Sequence, residues 1–383
     1  MAASSPRYWS RKPRTSGATL LQQQVKLDGL GIDDAKAAEL AADAATAAAT
    51  QEPSASVLLD LAFNRMSSVG AAALVEAVMR VRSSSAELLE LNLSACRLHE
   101  GHDTPSAGLA SVLGAPTLVG MQRLGLRRLI LDSCGLEGAA DAAAAARSVT
   151  AVSGNSLTSL DMSRNNLGPD GAVALVETLA GRRSGPGAPV LAELRLNSTG
   201  LSGWSAARAV EAARASPGGL GLPRLRFLSL SRSSLPSGAC AGLVRALTGP
   251  GSPPVSALEL ESCAIDDEGA AAIADALASR GSLQHLQRLN LACNPFGGRG
   301  VAALATAVGL PAAARLTRLV IRVRPSHGEV AIAAVRLVHE ARPGIVGPQP
   351  MIRLAGPSAA ARGRHLLAFA MWAIAGRPSA PDG

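Results

Sequence analysis

The sequence predicts an α/β protein built as an array of repeated strand–helix units, and three observations predict it. An eleven-residue pattern, LxxLxLxx(N/C)xL, recurs nine times along the 383 residues. Between most copies lies a segment whose apolar residues recur at spacings of three and four rather than two. Composition supplies the third: hydrophobic residues at 48% suffice for a buried core, while aromatic residues at 2% leave that core to Leu, Ala and Val. So few rings also argue against binding of single-stranded nucleic acid by base stacking.

The strand comes first in each unit. Seven segments fit the pattern closely: LLELNLSACRL (88–98), LRRLILDSCGL (126–136), LTSLDMSRNNL (157–167), LAELRLNSTGL (191–201), LRFLSLSRSSL (225–235), VSALELESCAI (255–265) and LQRLNLACNPF (286–296). Two looser copies flank them, SVLLDLAFNRM (56–66), which begins with Ser, and LTRLVIRVRPS (316–326), whose end is spoiled by Arg324 and Pro325. The fourth and sixth positions, from Leu59 and Leu61 in the first copy to Leu319 and Ile321 in the last, are apolar in all nine. Their alternation with mostly polar positions is the period of a short strand with one face buried.

Helices follow, as in GPDGAVALVETLA (168–180), DDEGAAAIADALAS (266–279) and GGRGVAALATAVG (297–309). Val173, Val176, Leu179 and Ala180 mark one face of the first, and Ile273, Ala276 and Leu277 the same face of the second. Acidic residues or Gly at each start suit a helix N-terminus. Clusters of Gly, Pro and Ser, such as GRRSGPGAP (181–189), ASPGGLGLP (215–223) and GPGSPP (249–254), are connecting loops.

The ninth pattern position reads Asn64, Cys96, Cys134, Asn165, Thr199, Ser233, Cys263, Asn294 and Arg324, at spacings of 30 to 38 residues. A strand leaving a sheet exposes backbone groups inside the turn, and a stacked column of small hydrogen-bonding side chains would satisfy them. Three of the five cysteines thereby acquire a structural role.

The array occupies residues 56–342. Residues 1–22 carry Arg7, Arg11, Lys12 and Arg14 without an acid, and read either as a disordered tail or as an organelle transit peptide. Residues 23–55 hold a half-copy, Val25, Leu27, Leu30 and Ile32 followed by DDAKAAELAADAA, expected to form a degenerate N-terminal cap or a lone Ala-rich helix. Residues 343–383 are expected to be a C-terminal cap or tail. Their apolar run LLAFAMWAIA (366–375) has about half the length that a membrane span needs, so no transmembrane helix is expected.

The recurring pattern resembles the leucine-rich repeats of the ribonuclease-inhibitor-like class, most clearly where N-x-L-x-x-x-G-x-x-x-L-x-x-x-L runs from Asn165 to Leu179. The resemblance covers about residues 56–341. It implies a curved solenoid, a horseshoe with a parallel β-sheet on the concave face and α-helices on the convex face. Most repeats exceed the length typical of that class, which leaves the curvature open.

The net charge of +8 resides at the ends: the first 26 residues hold five bases and no acid, and residues 315–364 hold nine Arg against Glu329 and Glu340. The stretch between is mildly acidic. Only three bases are Lys (12, 26 and 36), a skew that reflects a GC-rich genome better than a nucleic-acid footprint, because no compact basic recognition helix stands out. Cysteines at 96, 134, 240, 263 and 293 do not form a secreted disulfide framework, so a reducing compartment, the cytoplasm, is expected.

Enzyme signatures are missing from the sequence. No Gly-Lys-Ser/Thr exists for a Walker A loop, and no G-x-S-x-G, H-E-x-x-H or C-x-x-C occurs. His99, Glu100, His102 and Asp103 form a metal-like cluster, but nothing fixes their spacing, and a solvated loop is the expectation. GGRG (297–300) opens a helix and could cradle a phosphate, yet GPDG and DDEG occupy the same place in other copies, which favours a repeated structural start. No catalytic group, metal or cofactor is expected.

What remains is the concave face, onto which pattern positions three, five and seven should project. Asp132 with Asp161 is expected to form one acidic spot and Glu259 with Glu261 another, while Arg288, Arg318 and Arg322 form a basic end. Arg195 and Phe227 complete the candidates, since Arg and aromatic residues dominate binding hot spots. The reading is a monomeric, non-enzymatic protein–protein interaction scaffold. A second reading is a regulator resembling the Ran GTPase-activating proteins, which contain similar repeats and act on a small GTPase. Against it stand the lack of an acidic C-terminal tail and of any matched catalytic residue.

Overall fold

Every fourth- and sixth-position residue of the nine copies is at most 4% exposed, so the two-residue period does mark a buried strand face. The structure, a computed structural model, describes residues 22–47, 56–80, 87–100, 102–113, 125–153, 156–180, 190–213, 222–248, 250–279, 283–321, 328–341 and 346–347. The chain divides into two compact units: unit 1 comprises Met1–Ser229 with Gly251–Pro253, and unit 2 comprises Leu230–Pro250 with Pro254–Gly383.

In unit 1, strands β1 (Gln22–Lys26), β2 (Ser56–Asp60), β3 (Glu87–Asn92), β4 (Arg128–Ile130), β5 (Ser159–Asp161), β6 (Glu193–Arg195) and β7 (Phe227–Ser229) pair in sequence order. All pairings are parallel, with Val25, Leu59, Leu91, Leu129, Leu160, Leu194 and Leu228 in one register row. Between them run α1 (Asp34–Ala47), α2 (Ser68–Arg80), α3 (Pro105–Leu113), α4 (Gly138–Ser153), α5 (Gly168–Ala180) and α6 (Gly203–Ala212). In unit 2, β8 (Ala257–Glu259), β9 (Arg288–Asn290), β10 (Arg318–Val320) and β11 (Val346–Gly347) form the same kind of sheet, with Leu258, Leu289, Leu319 and Val346 in its row. Its helices are α7 (Ser237–Thr248), α8 (Asp267–Ala278), α9 (Gly298–Gly309) and α10 (Gly328–Ala341). The helices are those that the sequence predicts: α5 buries Val173, Val176, Leu179 and Ala180, and α8 buries Ile273, Ala276 and Leu277.

The short strands end in a turn that the next repeat stitches. Each sixth-position N–H donates to the fifth-position carbonyl of the following repeat, as Met162 does to Arg195 (2.9 Å) and Leu291 to Val320 (2.8 Å). The eighth-position N–H of Phe63, Ala95, Ser133, Arg164, Arg232 and Ser262 then donates to the seventh-position carbonyl of the following repeat, as Arg164 does to Asn197 (2.7 Å) and Ser262 to Ala292 (3.0 Å). To do so the eighth residue turns left-handed: Phe63, Ala95, Ser133, Arg164, Ser198, Arg232, Ser262 and Cys293 have φ between 53° and 59°. None is glycine, so each costs about 1 kcal/mol that the turn's hydrogen bonds must offset.

Inside the turns the ninth-position column forms from Asn64 to Asn294; Arg324 lies outside the described residues. Asn64, Asn165 and Asn294 each bridge two repeats, and the Asn165 amide donates to Leu131 O (2.8 Å) while its oxygen accepts from Cys134 N (3.0 Å). Cys96, Cys134 and Cys263 do part of this with a thiol, donating to Leu61 O (3.3 Å), Leu93 O (3.2 Å) and Leu230 O (3.2 Å). Burial pushes the Cys96 and Cys263 thiols up to about 11, so at neutral pH they keep the proton that they donate. Thr199 donates its hydroxyl to Leu196 O (2.8 Å), whereas Ser233 leaves its Oγ buried without a partner.

Adjacent helices are tied at their starts by a carboxylate. Asp267, in the first turn of α8, accepts from Gly297 N and Gly300 N of the next helix, both at 2.7 Å. Asp34 serves Ser67 N (2.8 Å) and Gly70 N (3.1 Å) alike, and Asp141 accepts from Ser106 N (3.0 Å). The Gly297–Gly300 start therefore already holds an anion, its own neighbour's carboxylate, which rules against the phosphate cradle. Gly300 must lack a side chain there, because a Cβ would lie 2.8 Å from Asp267 Oδ1 and 2.9 Å from Ala270 Cβ. Asp267→Ala is expected to lower the unfolding free energy by about 2 kcal/mol in urea titration. A loss under about 0.5 kcal/mol would mean that water replaces the carboxylate without penalty.

Candidate functional site

The sheet face opposite the buried leucines carries pattern positions three, five and seven, and the strands hold these side chains at fixed spacing, about 4.8 Å from repeat to repeat. In unit 1 the structure gathers four of them into one cluster. Arg195 Nη1 lies 3.1 Å from Glu193 Oε2, which also accepts from Ser159 Oγ at 3.1 Å. The Arg195 guanidinium carbon then sits 4.4 Å from the Phe227 ring centroid, a cation–π contact between two adjacent strands. Arg195 and Phe227 were each named from sequence; their stacking, and the part of Glu193, were not.

Asp132 and Asp161 do not make the bare acidic spot expected of them. Arg164 reaches back one repeat and grips Asp132 with both Nε (2.7 Å to Oδ1) and Nη2, so the carboxylate is neutralised. Asp161 Oδ1 accepts from Ser163 N at 2.9 Å and so braces its own turn. Arg164 escaped the sequence reading because it occupies the eighth position, and only the left-handed turn directs it onto the sheet face.

In unit 2, Glu259 stands in register with Asn290, and Glu261 accepts from Asn290 Nδ2 at 3.4 Å. The two acids remain on one face, one residue apart along the chain. Arg288 and Arg318 are register partners on β9 and β10, and both are exposed. Arg322 lies outside the described residues, as do residues 1–21 and the apolar run 366–375.

These groups offer charge and a stacking surface; none of them is a nucleophile. Burial raises Cys240 to about 12 and Cys134 well above the ordinary thiol range, which leaves both inert at neutral pH. Among the described residues, no three His, Cys, Asp or Glu side chains converge as metal ligands, and His99, Glu100, His102 and Asp103 lie in a loop. Among the described residues, no helix is long and apolar enough to cross a membrane.

Comparison with known proteins agrees with the geometry of the repeats. Residues 155–176, 251–274 and 282–305 match the Leucine Rich repeat family. Each match takes in a strand, its turn and the start of a helix, the three parts that recur here. No curated protein matches the chain. Among solved structures, the chain is similar to one in the crystal structure of the Rad7 and Elc1 complex in yeast, at 13% identity and a TM-score of 0.33, over 89% of this chain and 81% of that one.

Proposed function

We propose that this leucine-rich-repeat protein, an α/β solenoid within each of its units, is a protein-interaction scaffold that receives a partner protein on its sheet face, and that its repeats are of the ribonuclease-inhibitor-like class. The Arg195–Phe227 stack carries the reading. An aromatic ring and a guanidinium held by Glu193 form a rigid, half-buried anchor, with little side-chain entropy left to lose on binding. A strand ladder with a full helix in each repeat favours the class. The thiols at ninth positions serve as donors only when reduced, which favours a reducing compartment such as the cytoplasm. Monomeric action and a non-enzymatic role complete the proposal.

The test is affinity capture from native lysate with the full chain beside an Arg195→Ala/Phe227→Ala variant that unfolds alike. Partners retained by the wild type and weakened about thirtyfold in the variant support the reading. Identical partner profiles would move the binding surface off unit 1's sheet face. A small GTPase among the partners leads to a hydrolysis assay, in which acceleration by the chain would establish the GTPase-activating alternative.

A further inference from the structure

On the sheet face of unit 1 the arginines are answered within the fold. Arg128 lies 4.0 Å from Glu90 and Arg195 3.1 Å from Glu193, while Arg164 grips Asp132. Unit 2 breaks this rule. Arg288 and Arg318 occupy the third position of consecutive repeats, face to face in register on parallel strands, and both are exposed. Among the described residues neither has an ion pair. Two like charges on directly neighbouring strands repel, and among the described residues no carboxylate pairs with either.

The surroundings define what would. One strand away from Arg288, on the same face, stand Glu259 and Glu261, while Asn290 and Val320, at the fifth positions of β9 and β10, are uncharged. The face therefore changes sign over two strand spacings, about 10 Å. Ala257 is the register partner of Arg288 on β8, so a long uniform polyanion that ran from the arginines along the strands would pass beside the two glutamates. A short anion cluster avoids them, and forked guanidinium groups suit planar carboxylates.

We propose that the sheet face of unit 2 binds an acidic peptide segment of a partner protein, its carboxylates held by Arg288 and Arg318. A basic residue beside those carboxylates in the partner meets Glu259 and Glu261. This deepens the scaffold reading and rests on it.

The test is selection of a random-peptide display library on the full chain, followed by equilibrium binding of the synthetic consensus peptide. Wild type is expected to enrich adjacent Asp or Glu residues, and Arg288→Gln/Arg318→Gln to weaken the consensus peptide by about tenfold or more. Thermal unfolding of that variant should occur at or above the wild-type temperature, because the substitutions relieve a surface repulsion. Arg288→Lys/Arg318→Lys should retain part of the affinity. Equal affinity for wild type and the Gln variant overturns the inference while leaving the scaffold reading intact, since the peptide then binds elsewhere. Absence of enrichment overturns the inference, with the scaffold reading still judged by capture of whole proteins. Tighter binding of a dT20 oligonucleotide than of any peptide, lost in the variant, overturns it in favour of nucleic acid.

Discussion

Leu196→Asp abolishes the cooperative unfolding transition of unit 1 at neutral pH, whereas Leu196→Met preserves it. Leu196 holds the sixth position of its repeat with no measurable exposure, and its N–H donates to Ser229 O at 2.9 Å, so its side chain cannot leave the core while the ladder stands. Loss of the leucine costs about 2–5 kcal/mol. The carboxyl adds about 4 kcal/mol at neutral pH if burial raises its pKa by about three units. That sum rivals the roughly 5–15 kcal/mol by which a domain is stable. Because burial raises the folded-state pKa above the unfolded one, the carboxyl's penalty is full above the folded value and fades as pH falls to the unfolded value, near 4. Circular dichroism during urea titration should thus show partial recovery on acidification. A variant that unfolds like the wild type at neutral pH would remove residue 196 from the core and invalidate the repeat register. Leu196→Met should stay within about 1.5 kcal/mol.

That register was legible because burial acts on side-chain type. Leu at positions four and six can be replaced only by another apolar group, so the row from Leu59 to Leu319 survives as a visible pattern. The ninth position was legible for the complementary reason, that only small donors and acceptors fit inside the turn. The eighth position was not. Its left-handed backbone goes with the hydrogen bond to the next repeat, and Phe63, Ala95, Arg164 and Arg232 all submit to it without a shared chemistry.

The same distinction governs the candidate site. Third, fifth and seventh positions told which residues share a face, and so brought Arg195 and Phe227 forward. They could not tell which charges cancel. Arg164 lies outside the third, fifth and seventh positions, and its grip on Asp132 depends on a turn that sequence periodicity does not encode. The Asp267 carboxylate was hidden similarly: an acid in a first helical turn reads as dipole compensation for its own helix, yet it binds the amides of the next. Contacts between repeats are fixed by stacking, which a pattern read along one repeat does not contain.

Asn165→Leu is expected to cost about 3–5 kcal/mol although it replaces a polar residue by an apolar one of similar size in a buried site. Asn165 is 1% exposed and fully used: its oxygen accepts from Cys134 N (3.0 Å) and Leu136 N (3.1 Å), and its amide donates to Leu131 O (2.8 Å), Met162 O (2.8 Å) and Ser163 O (3.2 Å). Leucine would strand these backbone groups where water cannot reach, and their desolvation outweighs any apolar gain. The chain itself supplies the control. Where the column has Cys134, its thiol reaches Leu93 O (3.2 Å), and the preceding turn closes on its own backbone through Cys96 N to Leu93 O (3.1 Å) and Leu98 N to Cys96 O (3.0 Å). Asn165→Cys should therefore cost less, about 1–3 kcal/mol, because the turn at Cys134 and Leu136 can adopt that closure. Urea titration measures both costs, and hydrogen exchange at the Cys134 and Leu136 amides locates them: fast exchange in Asn165→Leu, intermediate in Asn165→Cys. If Asn165→Leu unfolds within about 1 kcal/mol of the wild type, the column fills space and the turns hold themselves.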